Sequence, residues 1–121
     1  VAMTAGLATL KLLEDGNLIN RLNKRGDYVR RQLRQIFGRQ RLDVQVTGVG
    51  SLFHTHFTKE KLKDTNAVAR ADKEKLTQYH MYLIEKGVFF LPTKMGALSA
   101  KHSKNDIEKL LQETENFVKT L

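Results

Sequence analysis

Leu42-Asp43-Val44-Gln45-Val46-Thr47-Gly48-Val49-Gly50-Ser51-Leu52-Phe53-His54-Thr55-His56-Phe57 decides the fold. Leu42, Val44 and Val46 alternate with Asp43, Gln45 and Thr47, the two-residue period of a half-buried strand. Two glycines one residue apart then break the run. Leu52, Phe53, Thr55 and Phe57 resume β character, so the two runs should pair as an antiparallel hairpin. Upstream, Leu18, Leu22, Val29, Leu33 and Ile36 recur at helical spacing, with Asn17 as the expected cap, Gly26 as a place for a close neighbour and Gly38 as the expected stop. Ahead of the turn Glu14-Asp15-Gly16-Asn17, Val1 to Leu13 is an amphipathic helix whose small-residue face (Ala2, Ala5, Gly6, Ala8) suits close packing against something outside this chain.

Downstream of the hairpin, Thr58 to Asn66 is polar and should form an exposed connection. Val68, Leu76, Tyr79, Leu83 and Ile84 predict one helix from about Ala67 to Lys86, ended by Gly87. Val88-Phe89-Phe90-Leu91 predicts a short buried strand, because Pro92 removes a ladder donor just after it. Thr93 to Gly96 is then a loop and Ala97 to Ala100 a last short strand. Ser103-Lys104-Asn105-Asp106 fits a capping box, and Ile107, Leu110, Leu111, Phe117, Val118 and Leu121 form the final amphipathic helix. This order predicts an α+β fold, a small antiparallel or mixed sheet of three to four strands covered on one face by helices.

With 121 residues, 40% hydrophobic and 28% charged, the chain is the size of one globular domain. It has no cysteine, which removes disulfides and thiolate metal sites and is compatible with a reducing cytoplasm. No apolar run approaches the roughly 20 residues that span a bilayer. The net charge of +8 invites a nucleic-acid partner. However, Arg21, Lys24, Arg25, Arg30, Arg31, Arg34, Arg39 and Arg41 surround the exposed arc of one helix, with no interleaved aromatics for base stacking. That pattern favours a solvated face over nucleic-acid binding.

His54 and His56 lie on the same side of a strand, as two metal ligands would. The other histidines, His80 and His102, sit on a helix and before a cap, and no carboxylate is close in sequence, so strand or interface histidines are expected and no metal site. Gly48-Val49-Gly50-Ser51 opens a strand where a phosphate loop would open a helix, and Ser51 lies outside a G-x-S-x-G elbow.

Five segments taken in order, A-M-T-A-G-L-A-T-L-K-L-L (2–13), V-Q-V-T-G-V-G-S-L-F (44–53), Y-L-I-E-K-G-V (82–88), F-F-L-P-T (89–93) and L-S-A-K-H-S-K-N-D-I-E-K-L-L (98–111), resemble the C-terminal part of a class III, fold-type I pyridoxal-phosphate aminotransferase. The likeness is to the glutamate-1-semialdehyde 2,1-aminomutases in particular and covers essentially the whole chain. It implies a dimeric, cytoplasmic enzyme that moves an amino group on a small amino-acid-like substrate for tetrapyrrole synthesis. Residues 1–14 would be a helix continuing from a missing large domain and 15–121 the small domain that closes over the substrate. The Schiff-base lysine and the residues that hold the cofactor would lie upstream. The chain is therefore expected to contain no catalytic or cofactor-binding residue, to be inactive alone, and to expose the apolar side of its first helix.

Aminomutases carry P-S-x-F-E-A-x-F-x-S-x-A-H where this chain has Pro92 to His102, which is about two residues shorter and lacks the acid. With Lys94 in place of a carboxylate, the local electrostatics reverse, and specificity can change with them. Lys94 and Ser99, flanking the loop after the apolar run, are the candidate substrate contacts. A freestanding basic module for an acidic partner or nucleic acid is the alternative reading.

Overall fold

In the computed structural model, which describes all 121 residues, the hairpin forms as its alternation requires. Strand β1 (Val44–Thr47) pairs antiparallel with β2 (Leu52–Phe57), with Val44 opposite Phe57, Val46 opposite Thr55 and Thr47 opposite His54. A two-residue strand β3 (Gly96–Ala97) pairs with the start of β2, giving an all-antiparallel sheet in the order β1-β2-β3. The helices are α1 (Ala2–Leu13), α2 (Asn17–Arg39), α3 (Thr65–Ala69), α4 (Lys73–Glu85) and α5 (Lys104–Val118).

Strand pleating sends Val46, Phe53, Thr55 and Phe57 to one face, where they are buried with residues of α2, α4 and α5. At the centre, Phe37 meets Phe57 and Tyr79 edge-on at 5.9 and 5.8 Å between ring centroids, and Tyr79 meets Phe117 at 5.2 Å. The one polar tip in this cluster is satisfied, since the Tyr79 hydroxyl lies 2.7 Å from Thr114 Oγ1, which donates to the Leu110 carbonyl.

The approach of α2 to the hairpin turn explains two glycines and two arginines. A Cβ on Gly26 would stand 1.9 Å from the Gly50 carbonyl oxygen, so only glycine lets the helix come this close, and Gly50 itself adopts a φ of 61°. Arg30 Nη1 donates to the Gly50 and Leu52 carbonyls at 2.8 and 2.6 Å and Nη2 pairs with Asp27, while Arg34 donates to the Val46 carbonyl at 2.8 Å. Arg30 is 5% exposed. The expected solvated arc is thus corrected: part of the basic run is consumed in joining helix to sheet.

Five further expectations are corrected. Gly16, with a φ of 72°, is the cap of α2, and Asn17 is the first helical residue, its N–H donating to Asp15. Gly38 stays helical, and the turn out of α2 falls at Gln40 and Arg41, where Arg41 has a φ of 55°. The single helix predicted from Ala67 to Lys86 is two helices, because Asp64 and Asp72 each cap a new start by accepting from Ala67 and Lys75 N–H groups, and the Asp72 N–H is drawn to the Phe57 carbonyl. Val88 to Leu91 is not a strand. Its Val88 N–H closes the end of α4 on the Leu83 carbonyl, and the run makes no ladder, leaving Phe89 and Leu91 exposed and Phe90 buried. The last strand covers Gly96–Ala97, not Ala97 to Ala100. The capping box at Ser103 and Asp106 forms as read.

Helix α1 stands apart, with no buried residue. No helix is long and apolar enough to cross a membrane.

Candidate functional site

On the sheet face opposite the core, β2 presents His54 and His56, whose ring centroids are 4.1 Å apart. Because β3 pairs only with Leu52 and Phe53, the rest of that edge is free for the start of α4 and the loop after Pro92. They enclose a pocket of about 170 Å³ lined by His54, His56, Asp72, Lys73, Thr93 and Lys94 among others. His80, from α4, reaches the adjoining space, where its Nδ1 accepts from the Thr93 N–H at 3.0 Å and its ring stacks on Phe90 at 4.9 Å.

Burial pushes His56 and His80 down to about 4, with the neighbouring His54 adding to both, and burial also lowers His54, helped by Lys94. His56 and His80 are therefore neutral near pH 7, and rings titrating that far below neutrality are poor general acids or bases there. His56 Nε2 lies 3.2 Å from the Thr47 hydroxyl, while His54 Nε2 is buried with no hydrogen-bond partner in the chain. No three His, Asp or Glu side chains come together in a group able to hold a metal ion.

Lys94 is exposed beside this pocket. Ser99 lies elsewhere: its N–H donates to His102 Nδ1 at 2.9 Å, its hydroxyl accepts from the Lys101 N–H, and Arg25 ties the same turn to α2 through the His102 carbonyl. The two candidate contacts therefore do not share a pocket. Nearer Ser99, a larger cleft of about 390 Å³ is lined by Phe53, Phe89, Leu91, Met95 and Leu98, with His102, Asp106 and Lys109 as its polar members. Asp106 is already engaged in the cap of α5. Sequence reasoning missed the joining of His80 to Thr93, since nothing in the residue pattern marks Thr93 as left-handed.

No family model matches the chain. Glutamate-1-semialdehyde 2,1-aminomutases do match it: that of Thermodesulfovibrio yellowstonii is 32% identical across 100% of this chain, and that of Methanothrix thermoacetophila 36% across 98%. The chain spans 29% and 28% of their respective lengths. Among solved structures, an omega-transaminase from Sphaerobacter thermophilus superposes with a TM-score of 0.76 at 27% identity over 84% of this chain and 24% of its own. A glutamate-1-semialdehyde aminomutase from Pseudomonas aeruginosa superposes with a TM-score of 0.79 at 17% identity over 87% of this chain and 24% of its own, a likeness of fold. With likeness in sequence along nearly its whole length and likeness in fold, the chain is the counterpart of the C-terminal part of glutamate-1-semialdehyde 2,1-aminomutases and class III pyridoxal-phosphate transaminases.

Proposed function

We propose that this chain is the small domain of an enzyme that moves an amino group with pyridoxal phosphate, of the glutamate-1-semialdehyde 2,1-aminomutase type. The observation that carries this reading is sequence likeness to such aminomutases over 98 to 100% of the chain at 32 to 36% identity. In this reading residues 1–14 belong with a large domain and 15–121 form the small one, in a cytoplasmic homodimer.

The residues present do not fit the cofactor itself. Pyridoxal phosphate needs an amine held in an enclosed pocket and a cradle for its phosphate. Every lysine of this chain is exposed, and the one glycine turn that could be mistaken for a cradle is closed off by α2 at Gly26. The chain's own contribution is a covering surface that excludes water and meets the substrate through Lys94 and Ser99. A cation at Lys94 would favour a substrate whose near end is a carboxylate.

The test is a chimera in which this chain replaces the aligned part of the Thermodesulfovibrio yellowstonii aminomutase. It should bind pyridoxal phosphate and transfer the amino group of glutamate-1-semialdehyde, and Lys94→Ala should raise KM more than it lowers kcat. A folded, cofactor-loaded chimera with no amino-group transfer on that substrate or on simple amines would overturn the reading. Turnover, or a borohydride-fixed cofactor label, on the 121-residue chain alone would contradict the claim that the chemistry lies outside it.

A further inference from the structure

Thr93 is one of two non-glycine residues in the chain with a left-handed backbone, at a φ of 66°. A β-branched side chain crowds the backbone there, and such a conformation persists only where the surroundings impose it. Here what imposes it is an imidazole. The Thr93 N–H donates to His80 Nδ1 at 3.0 Å. His80 is itself fixed, 2% exposed and stacked nearly parallel on Phe90, at 10° between the ring planes. To accept from Thr93 its Nδ1 must carry a lone pair, which requires the neutral, Nε2–H form.

The groups around His80 reinforce this requirement. His54 from β2 and Lys94 from the loop line the same space, with Tyr79 beside it on α4, and no carboxylate lines it. Asp72 and Lys73 line the adjoining pocket with His54 and His56. A proton on His80 would face a second imidazole and an ammonium with no counter-charge in that space, in keeping with its lowered affinity for one.

We propose that His80 is the positioning residue of the Pro92–Gly96 loop: as a neutral acceptor it holds Thr93 in its left-handed conformation and Lys94 beside the His54–His56 pocket, and its protonation releases the loop. Protonation turns Nδ1 from acceptor to donor opposite an N–H, so the bond becomes a repulsion and the strained residue loses its restraint. The released loop uncovers the pocket and frees Lys94. The bond and the strain lie within this chain, so the proposal holds whether or not the enzyme reading does.

The test is amide exchange by NMR on the full chain, expressed as protection relative to an unstructured amide. The Thr93 amide should lose at least about tenfold in protection as pH falls from 6.5 to 4, as expected for release coupled to one proton, and should stay less protected than the Leu33 amide in α2, which exchanges only when the packed region unfolds. His80→Asn offers an acceptor near the Nδ1 position that cannot be protonated. It should keep protection at pH 6.5 and show no such fall. His80→Phe keeps the stack and should lose protection at both pH values. If Thr93 is as protected as Leu33 at pH 4, or His80→Asn keeps the wild-type pH dependence, or His80→Phe stays protected, the inference fails. Should the variants not fold, the nitrogen shifts of His80 in the unmodified chain decide: an Nε2–H ring at pH 6.5 supports it, and an Nδ1–H ring overturns it.

Discussion

The region built from α2, the hairpin, α4 and α5 and the region built from α1 and residues 88–98 are both rich in apolar residues, and they use them in opposite ways. In the first, Val29, Leu33, Phe37, Tyr79 and Leu83 are buried almost completely. In the second, Met3, Leu7, Leu10, Phe89, Leu91 and Met95 are all more than half exposed. The first region buries its apolar side chains against one another, while large apolar side chains left exposed together mark a surface that meets something else. In the proposed enzyme that something is the large domain.

Acid should separate the regions most. His56 and His80 titrate near 4 in the folded chain against an ordinary 6.5, so their contribution is complete above pH 6.5 and is lost progressively as pH falls to about 4. At about 1.4 kcal/mol for each tenfold change in proton affinity, each ring accounts for about 3 kcal/mol. Urea unfolding followed at several pH values should show the packed region losing a few kcal/mol over that window, with the helical signal of α1 independent of it. Next, Phe37→Ala should cost about 3–5 kcal/mol by the loss of a fully buried ring, whereas Leu10→Ala in α1 should stay within about 0.5 kcal/mol. The two can be compared by thermal unfolding.

A smaller but sharper contrast comes from two helical glycines. Gly26→Ala forces a methyl against the Gly50 backbone and should cost about 2–3 kcal/mol. Gly6→Ala meets no atom within 4 Å and should be neutral or stabilising by up to about 1 kcal/mol, from helix propensity. Equal effects at the two sites would erase the distinction between the regions.

The packed region was also the more legible one. Its helices follow a 3.6-residue period and its hairpin a period of two, and each period reports a buried face directly. Even Gly26 signalled a close neighbour, although the sequence could not say that the neighbour was Gly50. What failed was local competition. The apolar period runs straight through Asp72, but a carboxylate that caps Lys75 and an N–H taken by the Phe57 carbonyl end one helix and start another. Val88 to Leu91 has strand composition but forms no ladder, and its first N–H is taken by the Leu83 carbonyl at the end of α4. The basic run looked solvated since charge pattern does not show where a guanidinium ends, and Arg30 and Arg34 end on sheet carbonyls. The pairing of His80 with Thr93 spans 13 residues across two elements and depends on a backbone angle, which no residue pattern encodes.

Whether the exposed region is the face that meets a large domain can be decided by hydrogen exchange, compared between the 121-residue chain alone and the same residues in the aminomutase chimera. Helix α1 and residues 88–98 should gain protection in the chimera while α2, α4 and α5 remain as they are. No gain at α1 and 88–98, in a chimera that is folded and holds its cofactor, would contradict the assignment of that face.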